Sequence, residues 1–323
     1  MLSRVAESIY WMNRYIERAE NIARFVDVNM RLMLDMPFHK QGQWESLIAT
    51  SGDSEIFYER YGKSTQENVI QYLAFDKAYP NSILTCLAMA RENARTVREI
   101  ISSEMWEQIN RFYLSVKDAT LESIILQGAN EFFNAIKNES HLLSGITDAT
   151  MSHGEPWHFG RLGRFIERAD KTSRMLDAKH YMVIPNDTSV QGPYDRYLWS
   201  AVLRSVSGLE AYRKHRHRRI VPIEVTEFLI LDRFFPRSIH YCLIRSQESL
   251  NAITGSNIGT FNNKAEKFLG RLRAELDFVD INDIMDEGLH QSLDRFQIKL
   301  NNVGLAIYET FFAMFPVNNG VQP

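Results

Sequence analysis

Apolar or small side chains near the start of the chain fall at Leu2, Val5, Ile9, Met12, Ile16, Ala19, Ala23, Val26, Met30 and Met33, in unbroken steps of three and four. That period puts them on one face of a long amphipathic helix whose seam packs like a coiled coil. The spacing predicts an end at Met36-Pro37, since proline lacks an amide hydrogen and crowds the turn before it. A loop from Pro37 to Gly42 and a new helix opening near Trp44 are expected next.

The pattern recurs. The stretch RYIERAENIARFVD, Arg14 to Asp27, returns 150 residues later as RFIERADKTSRMLD, Arg164 to Asp177. Identity falls on Arg14/Arg164, Ile16/Ile166, Glu17/Glu167, Arg18/Arg168, Ala19/Ala169, Arg24/Arg174 and Asp27/Asp177. Independently, DKAYPNSILTCL from Asp76 and DRFFPRSIHYCL from Asp232 share Asp, Pro, Ser, Ile, Cys and Leu in register at an offset of 156. Two collinear matches point to two diverged copies of one unit, residues 1–150 and 151–323.

Each expected unit then reads alike: a long helix, a loop (Pro37 to Gly42, Pro185 to Pro193) and a helix opening near Trp44 or Trp199. A short apolar helix (Val69 to Phe75, Val225 to Leu231), an Asp-x-x-x-Pro-x-Ser turn and further long helices follow. Asn81 or Ser82, and Ser238, suit a helix start, because a short polar side chain satisfies the first free amides. No strand-like alternation bounded by hairpin signals competes. The prediction is all-α: two tandem pseudo-repeated units of long antiparallel helices packed as one body.

Composition leaves this picture standing. Hydrophobic residues at 45% and charged residues at 24% over 323 positions are ordinary for a globular chain. A formal charge of -3 gives no global basic field, so nucleic acid is not implied as a partner. No apolar run approaches the roughly 18 residues of a membrane span, and Met1 leads into Ser3, Arg4 and Glu7 rather than a signal peptide. Cys86 and Cys242 alone cannot make a disulfide framework, so a cytoplasmic location is expected.

Candidate chemistry begins on the flank of the first helix. At 100° per residue Ile16 and Ala19 face the core while Glu17, Glu20 and Arg24 share one side; Glu167, Asp170 and Arg174 repeat the set. Paired carboxylates on facing helices hold a metal, or divide acid and base roles where burial separates their pKa values. Glu17, Glu20, Glu167 and Asp170 are therefore the catalytic candidates, and ordinary i,i+4 ion pairs with Arg24 and Arg174 are the plainer reading. No metal is assigned: di-iron bundles need two Glu-x-x-His helices, and here only Glu287-Gly-Leu-His290 has that spacing, with Gly288 marking a helix start. The same helix-flank positions that make Glu17 and Glu167 recur with Arg18/Arg168 predict that at least one of the two is buried on an arginine from another helix.

Arg91, Arg95 and Arg98, read on one helix from Met89 to Asn110, fall on one side and could form a guanidinium row for phosphate or carboxylate; a solvated face with internal ion pairs is the plainer reading, with Trp106 as a packing anchor. Arg213 to Arg219 is the densest basic run; it could bind an acidic partner or a nucleic-acid backbone, but it lacks interleaved aromatics for base stacking, and a solvated inter-helix turn is the plainer reading. Cys86 and Cys242 hold matching positions and read as small buried hydrophobes. Asp280 suits an N-cap. No Gly-rich phosphate loop, nucleophile elbow or zinc-protease motif is present.

Several stretches together resemble the bacterial alpha-E domain proteins: LSRVAESIYWMNRYIERAENIAR, RENARTVREIISSEMWEQIN, WHFGRLGRFIERADKTSRMLD, FLILDRFFPRSI and Glu287-Gly-Leu-His290. Asn13 departs from that pattern, which commonly has the glycine found at Gly163. The resemblance implies a genomic setting beside circularly permuted ATP-grasp ligases, hence a peptide-synthesising or peptide-modifying system. It leads to a helical accessory or scaffold protein that binds an ATP-grasp ligase or its peptide product, with no cofactor indicated. The alternative is an enzyme in which the four carboxylates act on an anionic substrate gripped by Arg18, Arg168, Arg24, Arg174, the Arg91 row or His290.

Overall fold

Residues Ser3 to Asp35 form one uninterrupted helix, α1, as the three-four spacing dictates. The structure, a computed structural model, describes residues 1–35, 43–181, 188–215 and 219–313. The expected loop from Pro37 to Gly42, Pro185 and the centre of the basic run, residues 216–218, lie outside that range. After α1 come α2 (Gln43–Ser51), α3 (Ser54–Tyr61), α4 (Gln66–Ile70), a π turn over Gln71–Phe75, α5 (Ile83–Thr96), α6 (Ser103–Lys117), α7 (Leu121–Gln127) and α8 (Ala129–Thr150). The order continues through α9 (Glu155–Tyr181), α10 (Thr188–Ser205), α11 (Leu209–His215), α12 (Pro222–Leu231), α13 (Ile239–Thr254), α14 (Lys264–Phe278), α15 (Ile281–Glu287) and α16 (Leu289–Ile307), closing on a π turn at Tyr308–Phe312. Among the described residues there is no strand, and no helix is long and apolar enough to cross a membrane.

Local chemistry sets the helix starts. The hydroxyls of Ser82 and Ser238 accept from the amides of Thr85 and Tyr241, opening α5 and α13 at the two Pro-x-Ser turns. Asp280 caps α15 in a reciprocal box with Asp283, and Gly288, at φ 99°, separates α15 from α16.

Two expectations are corrected. The helix read from Met89 to Asn110 breaks at Val97, and Ser102 caps a separate helix by accepting from the Met105 amide. Arg98 therefore sits in the turn. The Ser102 cap is the physical reason, a start signal hidden inside an otherwise helical pattern. Likewise α10 starts at Thr188, not near Trp199, so Gly192 and Pro193 fall inside a helix instead of a loop.

The long helices α1 and α9 lie side by side at the centre, α1 flanked by α5 and α8, α9 by α13 and α16. The second helices cross over: α2 packs mainly on α9, and α10 mainly on α1. One continuous core runs from Ala6 through Phe312, so the two halves share a single interior. The close approach of α1 and α9 depends on two glycines. A Cβ on Gly163 would stand 2.4 Å from the Tyr10 carbonyl oxygen, and one on Gly160 would stand 2.7 Å from Nδ2 of Asn13.

Candidate functional site

Where α1 and α9 face each other, their Glu-Arg pairs are exchanged. Glu167 on α9, with no exposed surface, accepts from Arg14 Nε at 2.8 Å and from Arg18 Nε at 2.7 Å and Nη2 at 3.1 Å, both on α1. Glu17 on α1, 2% exposed, accepts from Arg168 of α9 through Nε and Nη2, each at 2.8 Å. Both glutamates are thus buried on arginines of the opposite helix. A Glu-Arg dipeptide does this because neighbouring helical positions point about 100° apart, so the acid turns inward while the arginine reaches round to the partner helix.

The carboxylate one turn further on differs between the halves. Glu20 accepts from Arg24 Nε at 2.8 Å, from the Ser140 hydroxyl at 2.6 Å and from Arg237, with His141 at 3.3 Å. Arg24 continues to the Ser207 hydroxyl at 2.6 Å and to His141 Nε2 at 2.9 Å. Ser207 is the one non-glycine residue with positive φ, 52°, among the described residues, and that bond holds it there. On the other side Asp170 has, among the described residues, the cations Lys171, at 3.0 Å, and Arg174, at 3.0 Å, and Gly52, also at positive φ, offers no side chain to Arg174.

One more cation reaches each pair, from a different element. Lys171, on α9 itself, lies 3.6 Å from Glu167, while Asn81 in the turn before α5 only accepts from Arg18 Nη1 at 2.6 Å. At the matching positions the charge is moved: Asn21 donates to Glu17 at 2.8 Å, and Arg237 in the turn before α13 donates to Glu17 at 3.1 Å and to Asn21 at 3.0 Å. Arg237 fills the space between its turn and α1, so Arg24 and Arg237 are buried. The shorter Asn81 leaves its side open.

That opening is a cleft of about 640 Å³ between α1, the end of α2, α9 and α16. Arg14, Arg18, Lys171 and Arg174 line it, with Asp53 and Asp170 as its acids; Tyr10, Trp11 and Tyr308 supply aromatic surface. Leu300 and Asn301 form part of the wall, at the same distance past Gly288 as Ser140 and His141 are past Gly128. The apolar and amide side chains there make no bond across to α9, whereas Ser140 and His141 close the other half onto Glu20.

The electrostatics argue against proton transfer by these acids. Burial raises the Glu167 carboxyl, but Arg18, Arg14 and Lys171 outweigh it and hold it well below the usual range. Against the same burial, Arg168 and Arg237 lower Glu17, and Arg237, His141 and Arg24 hold Glu20 well below. Asp170 is lowered by Lys171 and Arg174 against burial. Burial brings Arg237 down to about 10, opposed by Glu20, which leaves it charged at neutral pH. Carboxylates this strongly committed to cations are weak bases and rarely protonated acids.

The remaining candidates lie elsewhere. Arg91 donates to Asn110 at 2.7 Å and, with Arg98, stacks on Trp106 at 5.7 and 4.8 Å to the ring centre; Arg95 pairs with Glu92 at 2.7 Å. Arg95 and Arg98 are exposed, one on α5 and the other in the turn after it, and the pairing of Arg91 and Arg95 with Glu92 fits a solvated face with internal ion pairs. His290 Nδ1 meets Asp177 at 2.8 Å. Cys86 and Cys242 are buried and unbonded to each other, and burial pushes each thiol up to about 12. Among the described residues no group of three or more His, Cys, Asp or Glu is placed to hold a metal. Sequence reading missed Arg14, Lys171, Asn81 and Arg237 as members of the site. Arg14 was identical to Arg164 in the repeat, but what the other three do depends on which turn faces which helix.

These features define an all-helical body with a doubled, reciprocal glutamate-arginine centre, one side of which opens to a cation-lined cleft. The chain belongs to the Alpha-E family, described as a predicted alpha-helical domain with a conserved ER motif, which it matches over residues 1–312. Glu17-Arg18 and Glu167-Arg168 are such dipeptides. Uncharacterized proteins of Mycobacterium bovis and Mycobacterium tuberculosis are 25% identical over 274 residues, a match that takes in 79% of this chain and 30% of theirs. The matched stretch therefore spans less than a third of the length of those relatives. No solved structure matches it.

Proposed function

We propose that the protein is a helical accessory component of a cytoplasmic ATP-grasp-type peptide-synthesis or peptide-modification system, and that the cleft between α1, α9 and α16 takes a carboxylate or phosphate group of that system's peptide. The observation that carries this reading is the unequal use of matching positions. On one side of the centre Arg24 and Glu20 are bonded to Ser140, His141, Ser207 and Arg237, whereas the other side leaves Lys171 and Arg174 facing an open cleft. Cations held by buried acids but still reachable suit an anionic group, because guanidinium and ammonium bonds to an anion are charge-assisted. The view of the chain as two copies of one unit belongs to the same proposal, supported by the parallel element order and the exchanged Glu-Arg pairs. Of the four carboxylates of the enzyme alternative only Asp170 lines the cleft, and all four are committed to cations.

Calorimetric titration with short acidic peptides and with pyrophosphate, beside pull-down of the ATP-grasp ligase encoded nearest the gene, tests this. We expect one of the anions to bind and the Lys171→Ala/Arg174→Ala variant to lose at least about tenfold in affinity. No binding by the wild-type protein, together with no association with the ligase, would overturn the reading.

A further inference from the structure

A second concave surface lies where the end of α1 meets α10 and α11, and its chemistry is more one-sided than that of the cleft. Arg31 from α1, Arg196 and Arg204 from α10 and Arg213 from α11 converge on a groove of about 390 Å³. No acid lines it. The chain carries 40 acidic against 37 basic residues, so a lining of four arginines without one carboxylate is a local departure from its composition. Arg31 shares Asp27, at 3.2 Å, with Lys137, at 2.7 Å, so that one charge is divided between two cations. Arg196, Arg204 and Arg213 form no ion pair among the described residues. Like charges crowded on one surface without counter-charge repel, and an incoming anion relieves that repulsion.

The floor decides between kinds of anion. Val28, Leu32, Ala201 and Ile220 lie between the arginines, and the first three join Leu198 in a small apolar cluster apart from the main core. Tyr197, 55% exposed, is the one aromatic residue of the lining among the described residues. A strand of nucleic acid asks for several stacking rings and a basic field around them, and the net charge of -3 supplies no such field. An acidic peptide segment with interspersed apolar side chains meets both features, its carboxylates taking the guanidinium forks and its apolar groups the floor.

We infer that the groove between α1, α10 and α11 is a docking surface for an acidic, partly apolar segment of a protein partner, held by Arg31, Arg196, Arg204 and Arg213. This does not rest on the ligand of the cleft. The run beginning at Arg213 reads from sequence as a solvated turn; Arg213 instead joins three arginines from two other helices, a neighbourhood that spacing along the chain does not reveal.

The test is fluorescence anisotropy with a labelled peptide of repeating Glu-Ala-Glu-Leu, a Lys-Ala-Lys-Leu counterpart and a short oligothymidylate, at low and physiological salt. The acidic peptide should bind the wild-type protein, more tightly at low salt. Arg204→Glu/Arg213→Glu, two exposed positions, should weaken it at least about tenfold with the circular dichroism melt unchanged. In a Lys171→Ala/Arg174→Ala background, which removes cleft cations, the acidic peptide should still bind and Arg204→Glu/Arg213→Glu should still weaken it at least about tenfold. Equal binding of the two peptides, undiminished binding by the double charge reversal, or preference for the oligothymidylate would each overturn the inference, the last in favour of a nucleic-acid surface.

Discussion

A carboxylate such as Glu167, out of solvent and facing Arg14, Arg18 and Lys171, is fixed by charge balance more than by shape. Glu167→Gln keeps the volume and strands those cations, which should cost about 3–5 kcal/mol, seen as a lower denaturant midpoint. Folding holds the Glu167 carboxyl below its ordinary value of 4.5, so between the two values the unfolded chain binds more protons than the folded one. The stability it contributes is therefore fully present above that ordinary value and is lost as pH falls through it towards the folded one. The gap in melting temperature between wild type and Glu167→Gln should be wide at neutral pH and shrink on acidification; a gap independent of pH would mean that charge is not the cause. Cys86 and Cys242, buried with raised thiols, should react with a thiol reagent only when the protein unfolds. Burial of the recurring glutamates was legible at this scale, because a solvated flank does not oblige Glu17/Glu167 and Arg18/Arg168 to recur together. A bond from at least one of them to an arginine of another helix was legible for the same reason; that the exchange is reciprocal between α1 and α9 was not, since spacing along the chain does not say which helices face each other.

At the scale of elements, the close approach of α1 and α9 places both glutamates within reach of the opposite arginines, and Gly163 permits it. Gly163→Ala brings a methyl onto the Tyr10 carbonyl, and the helices must part, at about 1–3 kcal/mol. Gly160→Ala meets the side chain of Asn13 instead, so Asn13→Gly should recover part of its loss while doing nothing for Gly163→Ala. Chemical unfolding of the four variants checks this; recovery of Gly163→Ala by Asn13→Gly would show that the two contacts are not separate. The helices themselves were largely readable from apolar period and capping residues, α1 in full. The break after Thr96 was not, because the apolar spacing on both sides of Val97 suits one continuous helix and only the Ser102 cap announces the second. The start of α10 failed for the opposite reason: Gly192 and Pro193 look like punctuation, yet the helix includes them.

Over the whole molecule the halves share an order of helices but divide their charges differently, and the difference can be moved. Glu17 and Glu20 receive their extra cation from Arg237, with neutral Asn21 on the helix; Glu167 and Asp170 receive it from Lys171, with neutral Asn81 in the turn. Asn81→Arg alone adds a fifth cation beside Arg14, Arg18, Lys171 and Arg174, and Lys171→Asn alone takes one from two buried acids, so each should destabilise. Together they restore the count and reproduce the arrangement of the closed half. The double variant should therefore be more stable than the two single losses add up to, with a coupling of about 1 kcal/mol or more in a denaturant-based cycle. It should also lose the anion-binding expected of the cleft, because an arginine at 81 would lie where Arg237 lies in the other half. Additive losses would mean that the two cations do not serve the same acids, and the matching of the two halves would then stop at their helices. Binding that survived in a stable double variant would show that Asn81 is not what keeps the cleft open.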